Sequence, residues 1–149
     1  QALTWQEIVD ASLPDIRNRD DIFGSQIVVD ENDEFVRLIE RMLLVATSLS
    51  IDQVVREVNR LEGIVIAAHI DRQAYSLVTA LGFIPPDLNL AALEISRATT
   101  CAEIKARYPF LSGWPLITNS DAHRLNEMQC SFQLHLAKVQ ELSFGKLEC

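Results

Sequence analysis

The sequence has few cysteines, no long apolar run and a deficit of positive charge, and each shortage removes a class of protein. Cys101, Cys130 and Cys149 are odd in number and show no paired spacing. They read as reduced thiols, not as a disulfide framework or a zinc knuckle. The longest candidate buried run, Ile64 to Ala68, is strand-sized and far short of the ~18 residues a membrane-crossing helix needs. Thirteen Lys and Arg against 21 Asp and Glu leave a formal charge of −8, which speaks against a duplex-binding surface. No G-x-G-x-x-G or Walker-type loop follows any predicted strand, so nothing favours a nucleotide cofactor. The chain begins at Gln1 with no Met and no charged-then-apolar leader, and reads as an excised piece of a soluble, cytoplasmic protein.

What is present is an ordinary globular composition: 149 residues, 48% apolar and 23% charged. That is one domain's worth of chain, able to bury a core without metal staples. Acidity is uneven. Residues 1 to 62 hold 13 acids against 6 bases, and residues 63 to 149 hold 8 against 7. The run Asp30, Glu31, Asn32, Asp33, Glu34 lacks the alternating ligands and the Gly of a calcium loop, so it reads as a solvated turn.

Residues 1 to 49 are expected to form an acidic helix and hairpin region. Thr4 and Glu7 match a capping box opening a helix that Pro14 closes. Gln26 to Asp30 and Glu34 to Ile39 flank the polar turn as a hairpin. Ser50 and Gln53 form a second capping box, and Ile51, Val54, Val55, Val58 and Leu61 recur at helical spacing until Gly63.

Beyond residue 63 strands and helices alternate. Ile64 to Ala68 fits a strand buried on both faces, followed by a helix with Ala74, Leu77, Val78 and Leu81 on one side and Gly82 at its end. Ala91 to Ile95 repeats the strand signal. Thr100 with Glu103 caps a helix ending before Pro109, and Leu116 to Thr118 is the third strand. Phe132, Leu134 and Leu136 alternate as a fourth strand, and Ser143 can cap a last helix. This order predicts an α/β fold with a parallel sheet, either doubly wound or part of a β/α barrel.

In such folds reactive groups gather at the carboxyl ends of the strands. His69 ends the first strand; Glu94 and Ser96 sit on the second; Ser120, Asp121, Ala122 and His123 follow the third. In an extended segment Asp121 and His123 point the same way, so a carboxylate oxygen and an imidazole nitrogen can reach one cation. Asp121 could instead cap the turn of residues 124 to 128, with His123 incidental. His135 alternates with an apolar strand face and is read as structural. An oxygen and nitrogen donor set suits Zn, Mn or Fe in a hydrolytic site. Arg72, and Arg97 after the second strand, could clamp an anionic group such as a phosphate, or lie on the surface.

Gly63-Ile64-Val65-Ile66-Ala67-Ala68-His69-Ile70-Asp71-Arg72, then Leu93-Glu94-Ile95-Ser96, then Pro115-Leu116-Ile117-Thr118-Asn119-Ser120-Asp121-Ala122-His123 resembles, in order and spacing, the C-terminal half of the PHP (polymerase and histidinol phosphatase) family. The Ser-Asp-Ala-His signature is the most specific element. The resemblance covers residues 50 to 149 and implies the C-terminal part of a distorted (β/α)7 TIM-like barrel. It places divalent-metal ligands on His69, Asp121 and His123, of two or three metals in the intact protein. Ile70 stands where the family usually has Pro. The family's opening His-x-His has no counterpart in residues 1 to 62, which contain no histidine.

The implied activity is hydrolysis of a phosphoester, on a small molecule or a nucleic-acid end, with Arg72 neutralising phosphate charge. The alternatives are a non-catalytic regulatory or structural PHP-like module, or an amidohydrolase-like metal hydrolase with another substrate. A half-barrel exposes sheet edges, so the fragment is expected to cover them by self-association.

Overall fold

A computed structural model describes residues 1–128, which fall into two compact units divided at Val54. In the first unit α1 (Ala2–Ser12) starts earlier than its capping signal. The amide of Trp5 finds the carbonyl of Gln1 at 2.9 Å, so Thr4 lies inside the helix and caps nothing. With the helix bonds already starting at the Gln1 carbonyl, the amides that a Thr4 hydroxyl would accept from are no longer free first-turn amides. It ends where expected, Leu13 turning extended ahead of Pro14.

A short turn of helix, α2 (Asp20–Phe23), leads to β1 (Ile27–Val29) and β2 (Phe35–Leu38), an antiparallel pair with Ile27 opposite Leu38. The acidic run is the turn of this hairpin. Asp30 Oδ1 accepts from the amides of Asn32 at 2.8 Å and Glu34 at 3.0 Å, and these bonds hold its carboxyl below the usual carboxylate range. Gln26 closes the open end: its amide group donates to the carbonyls of Ile39 and Arg41 and accepts from the amide of Leu43. A polar cavity of about 380 Å³ opens beside Asn18 and Glu40 in this unit, and no candidate site residue lines it.

The helix α3 (Ile51–Arg60) is opened by the expected reciprocal pair, with Ser50 N donating to Gln53 Oε1 and Gln53 N donating to Ser50 Oγ. Its end is a Schellman turn: the amide of Gly63 reaches the carbonyl of Val58 and that of Glu62 reaches Asn59. Glu62 takes the left-handed position at φ 59°. Gly63 is required one residue later, because a Cβ there would sit 2.8 Å from Val58 Cγ1.

In the second unit β3 (Ile66–Ala67), α4 (Leu77–Leu81), β4 (Ala92–Ile95), α5 (Cys101–Arg107) and β5 (Leu116–Thr118) alternate as predicted. The strands form a parallel sheet in the order β3-β4-β5, with Ile66 beside Ala92 and Leu93 beside Leu116. Leu93 and Ile95 on the central strand, and Ile104 of α5, are fully buried and form the core with Leu90 and Leu111. The capping box of Thr100 and Glu103 is present in both directions.

Three expectations change in this unit. The first strand of this unit is shorter and half-exposed, with Ile64 43% accessible, because among the described residues it pairs only with β4. The helix after it begins at Leu77, since Ser76 Oγ accepts from Thr79 N and fixes the start there, leaving Ala74 outside. The strands of this unit form an open three-stranded parallel sheet, as the expected α/β order requires, with no closed barrel among the described residues. Cys101 is disulfide-bonded, not a reduced thiol; spacing along a chain does not report which sulfurs folding brings within reach. A cytoplasmic setting loses the support it drew from free thiols.

The expected strand at Phe132 to Leu136, the helix from Ser143, and His135 lie outside the described residues. Among the described residues no helix is long and apolar enough to cross a membrane. Leu93 tests the core assignment: Leu93→Ala is expected to lower the free energy of urea unfolding by about 2–5 kcal/mol, a cavity in a strand with neighbours on both sides.

Candidate functional site

Three parallel strands deliver three loops to one edge: residues 68–72 after β3, 96–100 after β4 and 119–124 after β5. Local chemistry fixes the first of them tightly. The amide of Ile70 donates to the carbonyl of Glu94 at 2.8 Å, extending the β3-β4 ladder beyond the strand, and the amide of Arg72 returns to the carbonyl of His69 at 3.0 Å. The hydroxyl of Thr79 donates to the carbonyl of Arg72 at 2.8 Å.

Asp71 completes the clamp. Its Oδ1 accepts from the amide of Ser96 at 2.8 Å, and its Oδ2 accepts from the hydroxyls of Ser96 at 2.5 Å and Thr99 at 2.8 Å. Burial pushes this carboxyl up, but the Ser96 and Thr99 hydrogen bonds outweigh it and hold the group below its ordinary value. In the sequence Asp71 stands out only as part of the motif around His69. The available signal was an Asp after one strand facing Ser96 and Thr99 after the next.

Two residues of this edge have an unusual backbone. His69 sits at φ 30° and Asp121 at φ 46°, left-handed conformations that non-glycine residues adopt at a cost. Both are residues expected to carry chemistry, and both keep a ligand-type atom without a hydrogen bond: His69 Nδ1 and Asp121 Oδ2 are buried and unpartnered in that sense. Asp121 Oδ2 is met instead by a charge, Arg72 Nη2 at 2.5 Å. The contact is an ion pair between a half-exposed guanidinium and a more sheltered carboxylate. Arg72 thereby joins the loop after β3 to the loop after β5.

His123 is exposed, and its Nδ1 lies 2.8 Å from the carbonyl of Asp121. A carbonyl only accepts, so Nδ1 carries the proton and a neutral ring keeps its lone pair on Nε2. Imidazoles that hold metals are oriented by this kind of bond. The amide of His123 donates to Glu127 Oε2 at 2.9 Å, so the turn is closed by Glu127 and not capped by Asp121. Glu94 is half-buried on the central strand, and its Oε2 accepts a long bond of 3.4 Å from the amide of His69. Arg97 lies on the exposed turn after β4.

The three expected ligands therefore share the carboxyl edge, and Arg72 joins them. They do not converge. Among the described residues no three His, Cys, Asp or Glu side chains stand together as a bound cation requires. The donor types suit a metal; the spacing of the set does not, so the described residues by themselves do not frame a complete metal site. No family model matches the chain, and no curated protein or solved structure matches it either.

The clamp predicts a pH-dependent variant. Asp71→Ala is expected to destabilise the chain by about 1–2 kcal/mol near pH 7, where the charged carboxylate accepts its hydrogen bonds. Because the folded carboxyl titrates below its ordinary value, wild-type stability from this group is present above the unfolded pKa and is lost as pH falls through the folded one. The difference between wild type and variant should shrink below about pH 4 in urea titrations.

Proposed function

We propose that the intact protein hydrolyses a phosphoester with the help of divalent metals, and that this chain supplies the PHP-type carboxyl edge, the C-terminal part of a distorted (β/α)7 barrel. The observation that carries the reading is that a buried His69 Nδ1 without a hydrogen bond and an Asp121 carboxylate ion-paired with Arg72 stand on loops at the same sheet edge. Zn, Mn or Fe, two or three in number, are the metals proposed, held in large part by residues outside this sequence. When bound they would polarise the phosphoester and activate water.

The roles proposed for the chain's own residues follow from where they stand. Asp71 fixes the loop that carries His69 and Arg72. Arg72, 47% exposed, has a guanidinium suited to two phosphate oxygens at once. His123, with its ring oriented by the Asp121 carbonyl, presents Nε2. A phosphorylated small molecule or a nucleic-acid end is the proposed substrate class, and self-association of the chain would cover the open sheet edges.

One observation favours a second reading, a non-catalytic module: Asp121 is already neutralised by Arg72, and no three donors are grouped among the described residues. Activity separates the two. The intact protein, assayed with Mn and Zn on aryl phosphates and on 3′-phosphorylated oligonucleotides, is expected to turn over, and His69→Ala or Asp121→Asn to lose about 100-fold or more in kcat/KM. No metal-dependent turnover on any phosphoester would support the module, whereas full activity in both variants would take His69 and Asp121 out of the site.

A further inference from the structure

We infer that β1 is a docking edge that takes up an extended segment of another protein as a third strand, a segment with alternating apolar residues and Lys or Arg at its ends. The inference concerns the first unit alone and is independent of the metal reading.

That unit has no apolar core of its own. Up to Val54 the buried residues are Ser12 and Asn18, with no apolar side chain among them. A two-stranded sheet becomes stable only with a further strand or a layer packed on its face. Ile27 stands opposite Leu38 and Val29 opposite Phe35, so the four share one face, and each is about half exposed or more. A strand added beside β1 continues that apolar stripe with its own alternate side chains.

Backbone bonding selects the edge. The amide of Ile39 donates to the carbonyl of Gln26 and that of Asp30 to the carbonyl of Glu34, so residues 26, 28 and 30 turn their polar groups toward β2. Ile27 and Val29 turn theirs outward, and among the described residues no strand pairs with β1 on that side. The outer side of β2 is closed by two devices. Val28 faces Arg37 and Val29 faces Phe35, which leaves Val36 as a bulge. Just past the strand, the amide of Asn18 donates to the carbonyl of Glu40 and that of Met42 to the carbonyl of Ile16, so chain already lies there. Natural edges are protected in these ways, and β1 has neither protection.

Charge selects the partner. Residues 1 to 62 hold 13 acids against 6 bases. The turn at the end of β1 carries Asp30, Glu31, Asp33 and Glu34, none of them in an ion pair among the described residues. A second copy docked at this edge would set one strongly acidic unit against another, which opposes the contact, whereas terminal Lys or Arg on an added strand is attracted. The near-neutral stretch from residue 63 carries no such penalty, so self-association through its own sheet is unaffected. Main-chain bonds then supply affinity, the apolar stripe fixes which face is used, and charge discriminates between segments.

The test uses the whole 149-residue chain, amide exchange followed by NMR, and a short labelled peptide that alternates valine with threonine between paired terminal lysines. In the free chain the amides of Ile27 and Val29 are expected to exchange readily, and the peptide to protect both. N-methylation of one alternate set of peptide amides should abolish binding, and of the other set leave it intact. Glutamates in place of the lysines should weaken binding by about tenfold or more. Val29→Pro, which removes one outward donor and no bond to β2, should weaken it by about tenfold.

No binding, equal binding of the glutamate peptide, or equal binding of the two N-methylated forms overturns the proposal. So does protection of the Ile27 and Val29 amides in the free chain: protection lost on dilution makes a second copy the occupant, and protection kept on dilution makes it the chain itself. Where Val29→Pro fails to fold, the N-methylated peptides decide, since they leave the protein unaltered.

Discussion

Asp71 gathers three hydrogen bonds from the segment that follows the neighbouring strand, and the arrangement of the sheet edge depends on that one carboxylate. A two-residue strand pairs too briefly to hold the loop that leaves it. The carboxylate supplies what the ladder lacks, pinning the loop after β3 to the end of β4 at points the backbone bonds of Ile70 and Arg72 do not reach. With the loop pinned, His69 is kept at a positive φ it would otherwise leave, and Arg72 is set where it meets Asp121 from another strand.

Electrostatics then orders the edge. Each anionic group has a different kind of partner: hydroxyls and an amide for Asp71, a guanidinium for Asp121, a distant amide for Glu94. The contrast separates structure from chemistry. A carboxylate saturated by hydrogen bonds from its own fold is committed, whereas one faced by an exposed, exchangeable cation can change partners.

The first unit applies the same economy to a different end. A two-stranded hairpin is marginal by itself, and this one carries exposed Phe35, Val36 and Leu38. Side chains that mimic backbone hold it: Asp30 satisfies two amides at the turn, and Gln26 satisfies two carbonyls and an amide where the ladder stops. Most of its acidity is thereby spent on a turn and on exposed pairs such as Arg19 with Asp21, and not on a cation site.

Local rules were legible wherever a few neighbouring residues decide the outcome. The sequence by itself determined the hairpin and its turn, the capping boxes at Ser50 and Thr100, the Schellman end at Gly63, and the alternation of three parallel strands with two helices, because each follows from contacts within a handful of residues. It also placed His69, Asp121 and His123 at one edge, since strand direction alone carries them there. Thr4 failed as a cap because an equally local competitor, the Gln1 carbonyl, was available. Partners brought from far along the chain were decided only by the tertiary structure: Asp71 with Ser96 and Thr99, Arg72 with Asp121, and the disulfide at Cys101. No periodicity or spacing encodes them, because a side chain's partner across a sheet depends on register, loop curvature and burial, which exist only once the strands have paired.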